Sequence, residues 1–226
     1  MTADPAPVLL CDLDGTLVDT AHDLAASLNR VLDASGLAPL DTAQVRDCVG
    51  QGAARMVQRG FALAGRSLAP ESAEAEAALH RFLAIYGAAP AAHSRPYPGV
   101  PETLRHLRAT GWRLGVCTNK PQAPSEAILA ALDLAPLIEA VAGGDRFPVR
   151  KPDGGHLRRT LATMDADTAP AVLVGDSRVD LEAARDAGIP VVLVTYGYAQ
   201  EDVRGLGADR VIVNFPELPA VLARLG

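Results

Sequence analysis

The chain has 226 residues, of which 49% are apolar and 21% charged, and its formal net charge is -6. These values predict a globular enzyme of one large domain or two small ones. The negative charge argues against non-specific binding to nucleic acid or to an anionic membrane. No run approaches the ~20 apolar residues of a transmembrane helix, and residues 1–7 lack the features of a secretory signal. We therefore expect a cytoplasmic chain.

Cysteine and lysine are rare in this sequence, and their placement is informative. Cys11, Cys48 and Cys117 have no CxxC spacing, so we expect neither a zinc site nor a disulfide framework. Lys120 and Lys151 are the two lysines among 21 basic residues. Because arginine fills every other basic position, these two lysines are candidates for a chemical role, with chance placement as the alternative.

Short, continuously apolar runs recur along the chain, as expected for strands that are buried on both faces of a sheet. Such runs stand at 8–11, 114–117, 171–174, 191–194 and, shorter, at 211–213. Helical patterns lie between several of them, beginning near Pro101, after Pro121 and near Val179. This alternation predicts the α/β class, with a doubly wound parallel sheet and a Rossmann-like core.

The interval from residue 20 to residue 86 has a different pattern. Helical stretches are predicted near 21–35, 41–48, 52–64 and 71–87, with no convincing strand among them. A linker rich in proline, glycine and alanine follows at 87–99. We therefore predict an inserted helical cap domain, with its linker, at residues 20–96, and an α/β core formed by residues 1–19 and 97–226.

Polar side chains follow three of the predicted strands at the point where each strand ends. In an open parallel sheet, ligands bind outside the carboxyl ends of the strands. The residues there are Asp12, Asp14, Thr118, Asn119, Asp176, Ser177 and Asp180, and Lys151 lies in a loop between strands. The sequence therefore predicts that carboxylates, hydroxyls, an amide and a lysine converge on one edge of the sheet.

Such a set of side chains suits phosphoryl transfer. Carboxylates alone would repel a phosphate dianion, so a hard cation is needed, and Mg²⁺ favours a site of few carboxylates completed by waters and phosphate oxygens. A lysine neutralises further phosphate charge, and hydroxyl and amide groups donate hydrogen bonds to phosphate oxygens. An aspartate such as Asp12 can attack phosphorus to form an aspartyl phosphate. A second carboxylate two residues later, Asp14, can protonate the leaving oxygen and then activate water.

Each of these residues also has a purely structural interpretation when it is taken alone. Asp12 and Asp176 could form tight turns, and Thr118 could cap the helix that follows it. Lys151 could be a solvated loop residue. These alternatives are independent of one another, whereas one site accounts for every segment in the expected order. The pattern as a whole therefore favours a functional site.

The residues of this site resemble the four motifs of the haloacid dehalogenase-like hydrolases. The matching segments are Asp12-Leu13-Asp14-Gly15-Thr16, Thr118, Lys151 and Gly175-Asp176-Ser177-x-x-Asp180. The resemblance covers nearly the whole chain and includes a helical cap between the first two motifs, as in the C1-capped members. It implies a Mg²⁺-dependent phosphatase in which Asp12 is the nucleophile and Asp14 the general acid and base. Mg²⁺ would be held by Asp12, Asp176 and the backbone carbonyl of Asp14.

The same resemblance implies roles for the remaining motif residues. Thr118, Asn119 and Lys151 would bind the phosphoryl group of a small phosphate ester. Ser177 and Asp180 would hold the other site residues in position without contacting the metal or the substrate.

Further segments are similar to the phosphoglycolate phosphatases within this family, which implies 2-phosphoglycolate as the substrate. These segments are 17–20, 49–53, 143–145 and 194–198. Arg55, on a cap helix, is then expected to bind the substrate carboxylate. There are two departures from the family pattern. Pro152 is followed by Asp153-Gly154-Gly155 where a second proline is usual, and Cys11 replaces a bulky aromatic residue.

Other functions stay open at this point. Dehalogenases of the family lack the second aspartate, so Asp14 favours phosphoryl chemistry, and the absence of lysine from residues 20–96 argues against Schiff-base chemistry in the cap. A sugar phosphate, a nucleotide or pyrophosphate could replace phosphoglycolate, and a sugar-phosphate mutase would share the same core. A phosphorelay receiver module and an inactive interaction protein are more distant alternatives. The sequence does not predict the oligomeric state.

Overall fold

The computed structural model describes residues 5–225. In chain order the elements are β1 (Val8–Cys11), β2 (Val18–Asp19), α1 (Ala21–Asp33), α2 (Thr42–Arg46), α3 (Ala53–Leu63), α4 (Ala73–Ala88), β3 (Arg95–Pro96), α5 (Val100–Ala109), β4 (Arg113–Cys117), α6 (Gln122–Ala131), β5 (Ala140–Ala142), α7 (Gly155–Ala162), β6 (Ala171–Gly175), α8 (Arg178–Ala187), β7 (Val191–Val194), β8 (Arg210–Ile212) and α9 (Leu218–Leu222). Short 3₁₀ turns lie at Ala135–Leu137, Val203–Gly205 and Phe215–Glu217.

Six strands form one parallel sheet in the order β5-β4-β1-β6-β7-β8. β1 is central, and Leu10 pairs with Gly115 of β4 on one side and with Leu173 of β6 on the other. Helices connect the strands, as parallel pairing requires. The predicted α/β class with a parallel sheet is confirmed. Two details differ, because β5 was not predicted and β8 ends at Ile212, leaving Val213 52% exposed.

The continuous apolar runs are explained by burial on both faces of the sheet. Leu9 and Cys11 point into one hydrophobic cluster, whereas Val8 and Leu10 point into another on the opposite face. All four residues of β1 are buried. A carboxylate that follows such a strand, like Asp12, is therefore held close to the core.

Four helices, α1 to α4, occupy residues 21–88, in the region predicted to be helical. Leu24, Leu28 and Val31 recur at helical spacing on α1 and are buried in the same cluster as Phe61 and Phe82. Helix α3 crosses α1 at Gly60, where an added Cβ would lie 2.6 Å from a Leu28 methyl group. These helices are consistent with the predicted cap of residues 20–96.

One short strand precedes this helical region and another follows it, and the two pair as an antiparallel ribbon. Val18 of β2 pairs with Pro96 of β3, and Asp19 pairs with Arg95. The sequence did not predict this ribbon, which brings the chain back to the sheet close to where it left.

None of the helices within residues 5–225 combines the length and the apolar composition of a membrane span.

Candidate active site

The carboxyl ends of β1, β4 and β6 meet at one edge of the sheet. Asp12 follows β1, and its N–H donates to the carbonyl of Val174 at 2.9 Å. Thr118 follows β4, and its N–H donates to the carbonyl of Ala142 at 3.0 Å. Asp176 follows β6. The structure therefore brings together the polar residues that the strand pattern predicted to converge.

Lys151 lies beneath Asp12 in a buried ion-pair network. Its ammonium nitrogen is 3.0 Å from Asp12 Oδ1 and 2.6 Å from Asp180 Oδ1, and its side chain is 1% exposed. Burial alone would lower the pKa of Lys151, but the charges of Asp12 and Asp180 outweigh that effect and raise it above its usual range. Lys151 thus carries a positive charge beside Asp12. The predicted lysine of the site is a buried residue and not a solvated loop residue.

Asp12 sits in an environment that disfavours its charge. Burial raises its pKa to about 6, because the nearby charge of Lys151 offsets only part of the desolvation and Asp180 and Asp14 add repulsion. Asp12 Oδ1 lies 3.0 Å from the Lys151 ammonium as an ion pair and has no hydrogen-bond partner among the described residues. This buried oxygen has capacity for a further electrophilic partner.

Three buried carboxylates could hold a metal ion. Asp12, Asp176 and Asp180 each offer an oxygen, and these oxygens lie within 4.8 Å of one another. Burial raises the pKa of Asp176 well above its usual value, and the charges of Asp180 and Asp12 raise it further. One lysine does not balance three carboxylates, so the residues fit a hard divalent cation such as Mg²⁺.

Asp180 is occupied by other partners on both oxygens. Oδ1 accepts from Lys151, and Oδ2 accepts from the N–H of Asp176 at 3.3 Å and from the N–H and hydroxyl of Ser177 at 3.2 and 2.6 Å. Asp180 thereby orients the lysine and the turn that carries Asp176. This arrangement agrees with the supporting role predicted for Asp180 and Ser177.

Two glycines pack against Asp176 where no side chain fits. An added Cβ would lie 2.4 Å from Asp176 Oδ2 at Gly15 and 2.3 Å from it at Gly197. Gly15 also has a φ of +81°, which disfavours other residues. The N–H of Tyr198 donates to Asp176 Oδ2 at 2.6 Å. The sequence assigned no site role to Gly197 or Tyr198, because they approach Asp176 only through the fold.

Asp14 has its own lysine. The Lys120 ammonium lies 3.2 Å from both carboxylate oxygens of Asp14, and the Thr20 hydroxyl donates to Oδ1 at 2.6 Å. The same ammonium lies 4.4 Å from the centroid of the Tyr86 ring on α4, a cation–π contact. Burial would lower the pKa of Lys120, but Asp14 and Tyr86 together raise it. Both lysines of the chain therefore pair with aspartates of the site, and scarcity of lysine was the sequence signal for Lys120.

The residues predicted to bind phosphate differ in their present contacts. Thr118 is buried and lines the same cavity as Asp12 and Asp14. The Asn119 side-chain amide donates to the carbonyls of Gly50 at 3.1 Å and Lys151 at 2.9 Å. Asn119 therefore ties the Lys151 loop to the helical region.

Two recesses that share Val49 and Gly50 in their walls lie at the sheet edge, and helix α3 contributes to both. A small cavity of about 40 Å³ is lined by Asp12, Asp14, Thr118 and Lys120, and by apolar residues that include Phe82. A more open cleft of about 420 Å³ is lined by the set Arg55, Arg59, Arg150, Lys151 and Ser177 among others. The structure thus puts Arg55 in the open cleft and not in the cavity that holds both aspartates.

The departure from the family pattern after Pro152 has a structural counterpart. Gly154 has a φ of -64°, a value that proline also adopts, and its N–H donates to Asp186 Oδ2 at 2.7 Å. An added Cβ at Gly154 would lie 2.4 Å from the Ala187 nitrogen of α8. The loop after Lys151 is therefore fixed by a hydrogen bond and close packing that a proline could not provide.

Comparisons with known proteins agree with this geometry. A model of the family described as haloacid dehalogenase-like hydrolase matches residues 9–194. The chain is 48% identical to a phosphoglycolate phosphatase of Caulobacter vibrioides over 92% of this chain and 87% of the relative. It is 44% identical to a phosphoglycolate phosphatase of Rhodospirillum rubrum over 93% and 88%. The crystal structure of a predicted phosphoglycolate phosphatase from Haemophilus somnus 129pt superposes with a TM-score of 0.87, at 31% identity, over 95% of this chain and 97% of that one.

The fold and the site define a protein of the α/β class with a cluster of buried carboxylates and lysines at one edge of a parallel sheet. The chain belongs to the haloacid dehalogenase-like hydrolase family. Its enzyme class is that of a phosphatase, and the resemblance stated from the sequence motifs is confirmed.

Proposed function

We propose that this chain hydrolyses 2-phosphoglycolate in a Mg²⁺-dependent reaction through an aspartyl phosphate on Asp12. The observation that carries the proposal is the buried pairing of the two aspartates with two lysines, in a chain 48% identical to a phosphoglycolate phosphatase. The first pair provides a nucleophile beside a fixed positive charge. The second pair keeps a carboxylate in the same cavity for proton transfer.

In the proposed reaction, a carboxylate oxygen of Asp12 attacks phosphorus and the bond to the leaving oxygen breaks. Asp14 must enter this step in its protonated form, and it gives that proton to the oxygen, which leaves as the hydroxyl of glycolate. Asp14 then takes a proton from a water molecule, whose oxygen attacks the aspartyl phosphate and releases inorganic phosphate. Cleavage restores the Asp12 carboxylate, so each group ends in its starting state.

The remaining residues of the proposal bind and position the phosphoryl group. Lys151 offsets its charge, and the Thr118 hydroxyl can donate to one of its oxygens. Asn119 contributes in this conformation by holding the Lys151 loop. Arg55 lines the open cleft, as Lys151 does, and arginines there would attract an anionic substrate toward the site.

Mg²⁺ would be held by Asp12, Asp176 and the backbone carbonyl of Asp14, and it would supply charge neutralisation for the phosphate. The buried Asp12 oxygen without a hydrogen-bond donor and the excess of carboxylates over lysines support this assignment. Asp180 stays outside the ligand set in the proposal, because both of its oxygens already accept hydrogen bonds.

A phosphate-release screen tests the proposed substrate. The purified chain with Mg²⁺ is assayed on 2-phosphoglycolate, hexose phosphates, nucleoside monophosphates and pyrophosphate at matched concentrations. We expect the highest kcat/KM on 2-phosphoglycolate. A kcat/KM that is about tenfold higher on a hexose phosphate would refute 2-phosphoglycolate as the preferred substrate. Interconversion of sugar phosphates without phosphate release would instead identify a mutase.

A further inference from the structure

The cavity that holds Asp12 and Asp14 has a single cationic side chain on its wall. Among residues 5–225, Lys120 is the one basic residue that lines it, and much of the remaining wall is apolar, from Leu24, Met56 and Phe82 among others. Arg55 lines the neighbouring cleft. A carboxylate that enters an apolar cavity loses its hydration and needs a cationic partner there. Lys120 is the residue that can provide one.

Lys120 keeps hydrogen-bonding capacity in this conformation. An ammonium has three N–H donors, and Lys120 contacts the Asp14 carboxylate, at 3.2 Å from each oxygen, and the face of the Tyr86 ring, whose centroid is 4.4 Å away. Charge-assisted hydrogen bonds are usually shorter, at about 2.7–2.9 Å. The side chain is 4% exposed, so water has little access to the ammonium. A second carboxylate could therefore bind Lys120 without breaking its contact with Asp14.

The chemistry of the proposed substrate brings its carboxylate to this point. Asp14 must come within hydrogen-bond reach of the leaving oxygen in order to protonate it. In 2-phosphoglycolate a single methylene group separates that oxygen from the carboxylate. A group so close to the Asp14 carboxylate is also close to the ammonium that contacts it. We propose that Lys120 binds the carboxylate of the substrate inside this cavity, an inference that rests on the proposed hydrolysis of 2-phosphoglycolate at Asp12.

A purely structural role for Lys120 makes a different prediction. If Lys120 only held Asp14 in place, its loss would lower kcat/KM for every phosphate ester by a similar factor. If Lys120 also binds the substrate carboxylate, its replacement causes an additional fall in kcat/KM, and only for esters that carry a carboxylate. The ratio of kcat/KM for 2-phosphoglycolate to kcat/KM for ethyl phosphate isolates this second effect, because ethyl phosphate has the same chain length without the carboxylate.

The experiment measures that ratio in the wild-type chain, in Lys120→Met and in Arg55→Ala. We expect Lys120→Met to lower the ratio by at least about tenfold, beyond any shared loss of rate through Asp14. Arg55→Ala tests the competing assignment, in which a cation of the open cleft recognises the carboxylate, and it should lower the ratio less than Lys120→Met does. An unchanged ratio in Lys120→Met, or a fall only in Arg55→Ala, would overturn the inference.

The wild-type ratio separates this inference from the proposed function. A wild-type ratio near one would overturn the proposed substrate and the inference with it, whereas a high ratio that Lys120→Met leaves intact would overturn the inference alone. Lys120→Arg and Lys120→Gln keep the test decisive if Lys120→Met does not fold, as thermal melts would reveal. Arginine should recover part of the ratio because it keeps the charge, and glutamine should not. Equal ratios in these two variants would contradict the role of charge.

Discussion

The two lysines illustrate how single residues set the electrostatics of this site. Lys151 and Lys120 are both buried, and each neutralises one aspartate of the Asp-x-Asp motif. Breaking a buried pair leaves an uncompensated charge, which is strongly destabilising. Arginine could not serve as a compact point charge beneath Asp12 in the same space. The retention of lysine at these two positions in an arginine-rich chain is thereby explained.

The buried carboxylates lead to a prediction about metal dependence. In the proposed ligand set only two side chains, Asp12 and Asp176, would anchor the cation, so we expect modest affinity and an exchangeable Mg²⁺. We expect a chelator to abolish phosphate release and added Mg²⁺ to restore it. Ca²⁺ should not restore it, because its looser and higher coordination would misplace Asp12. Full activity in excess chelator, measured on protein shown to be metal-free, would contradict the assignment.

We expect His156 to make the free energy of unfolding depend on pH. Its ring is buried, and Nδ1 accepts from the N–H of Lys151 at 3.3 Å. Burial and, next, the positive charge of Lys151 lower its pKa from 6.5 to about 4. The unfolded chain therefore binds a proton at this residue at higher pH than the folded chain does. The resulting stability is fully present above the unfolded pKa and is lost as pH falls toward the folded one.

Urea unfolding of the wild-type chain and of His156→Gln between pH 7 and pH 4 checks this effect. The shift corresponds to about 3 kcal/mol. We expect the wild-type advantage in free energy of unfolding to shrink by about that amount on acidification, whatever the substitution costs at pH 7. A difference between the two proteins that stays constant with pH would show that His156 does not titrate as described.

At the scale of elements, Asp23 ties helix α1 to the chain that returns to the sheet. Its carboxylate accepts from the N–H of His93 at 3.0 Å, from the N–H of Ser94 at 2.8 Å and from the Ser94 hydroxyl at 2.6 Å. Asp23 is buried, so these donors would lose their partner in Asp23→Ala. The expected loss is about 2–3 kcal/mol in free energy of unfolding, because hydrogen bonds to a charged group are involved.

Asp33→Ala is a matched control for this prediction. Asp33 stands at the end of the same helix and is exposed, and a surface substitution of this kind should change the free energy of unfolding by less than about 0.5 kcal/mol. Chemical denaturation of both variants provides the measurement. Equal effects of Asp23→Ala and Asp33→Ala would show that the contact with residues 93–94 does not stabilise the fold.

Elements with a strong local pattern could be predicted from the sequence, including the three-residue strand β8, whereas β2, β3 and β5 could not. β1 matched its prediction because all four residues are apolar and buried. β5 has three residues, and β2 and β3 have two each, so their pairing depends on neighbours that are distant in the chain. The same reason applies to the site. Asp12 and Asp176 follow strands and were predicted, but the contact of Lys120 with Asp14 joins positions 106 residues apart.

At the scale of the whole molecule, the reaction site lies where the sheet edge meets the helices of residues 21–88. Loops at the sheet edge contribute Asp12, Asp14 and Lys120 to the cavity wall, and helix α4 contributes Phe82 and Tyr86. A small substrate in such a cavity is shielded from bulk water, which strengthens every charge interaction within it. We therefore expect the helical region to affect the rate of the reaction as well as the choice of substrate.

The identity of the nucleophile is the central claim, and trapping the covalent intermediate tests it most directly. Asp14→Asn keeps the nucleophile but lacks the base that activates water, so the aspartyl phosphate should accumulate with p-nitrophenyl phosphate, whose leaving group needs little protonation. Intact-protein mass spectrometry should then show a phosphate adduct that hydroxylamine removes and that maps to Asp12, while Asp12→Asn forms no adduct and shows no turnover. An adduct on another residue, or turnover by Asp12→Asn, would contradict the account.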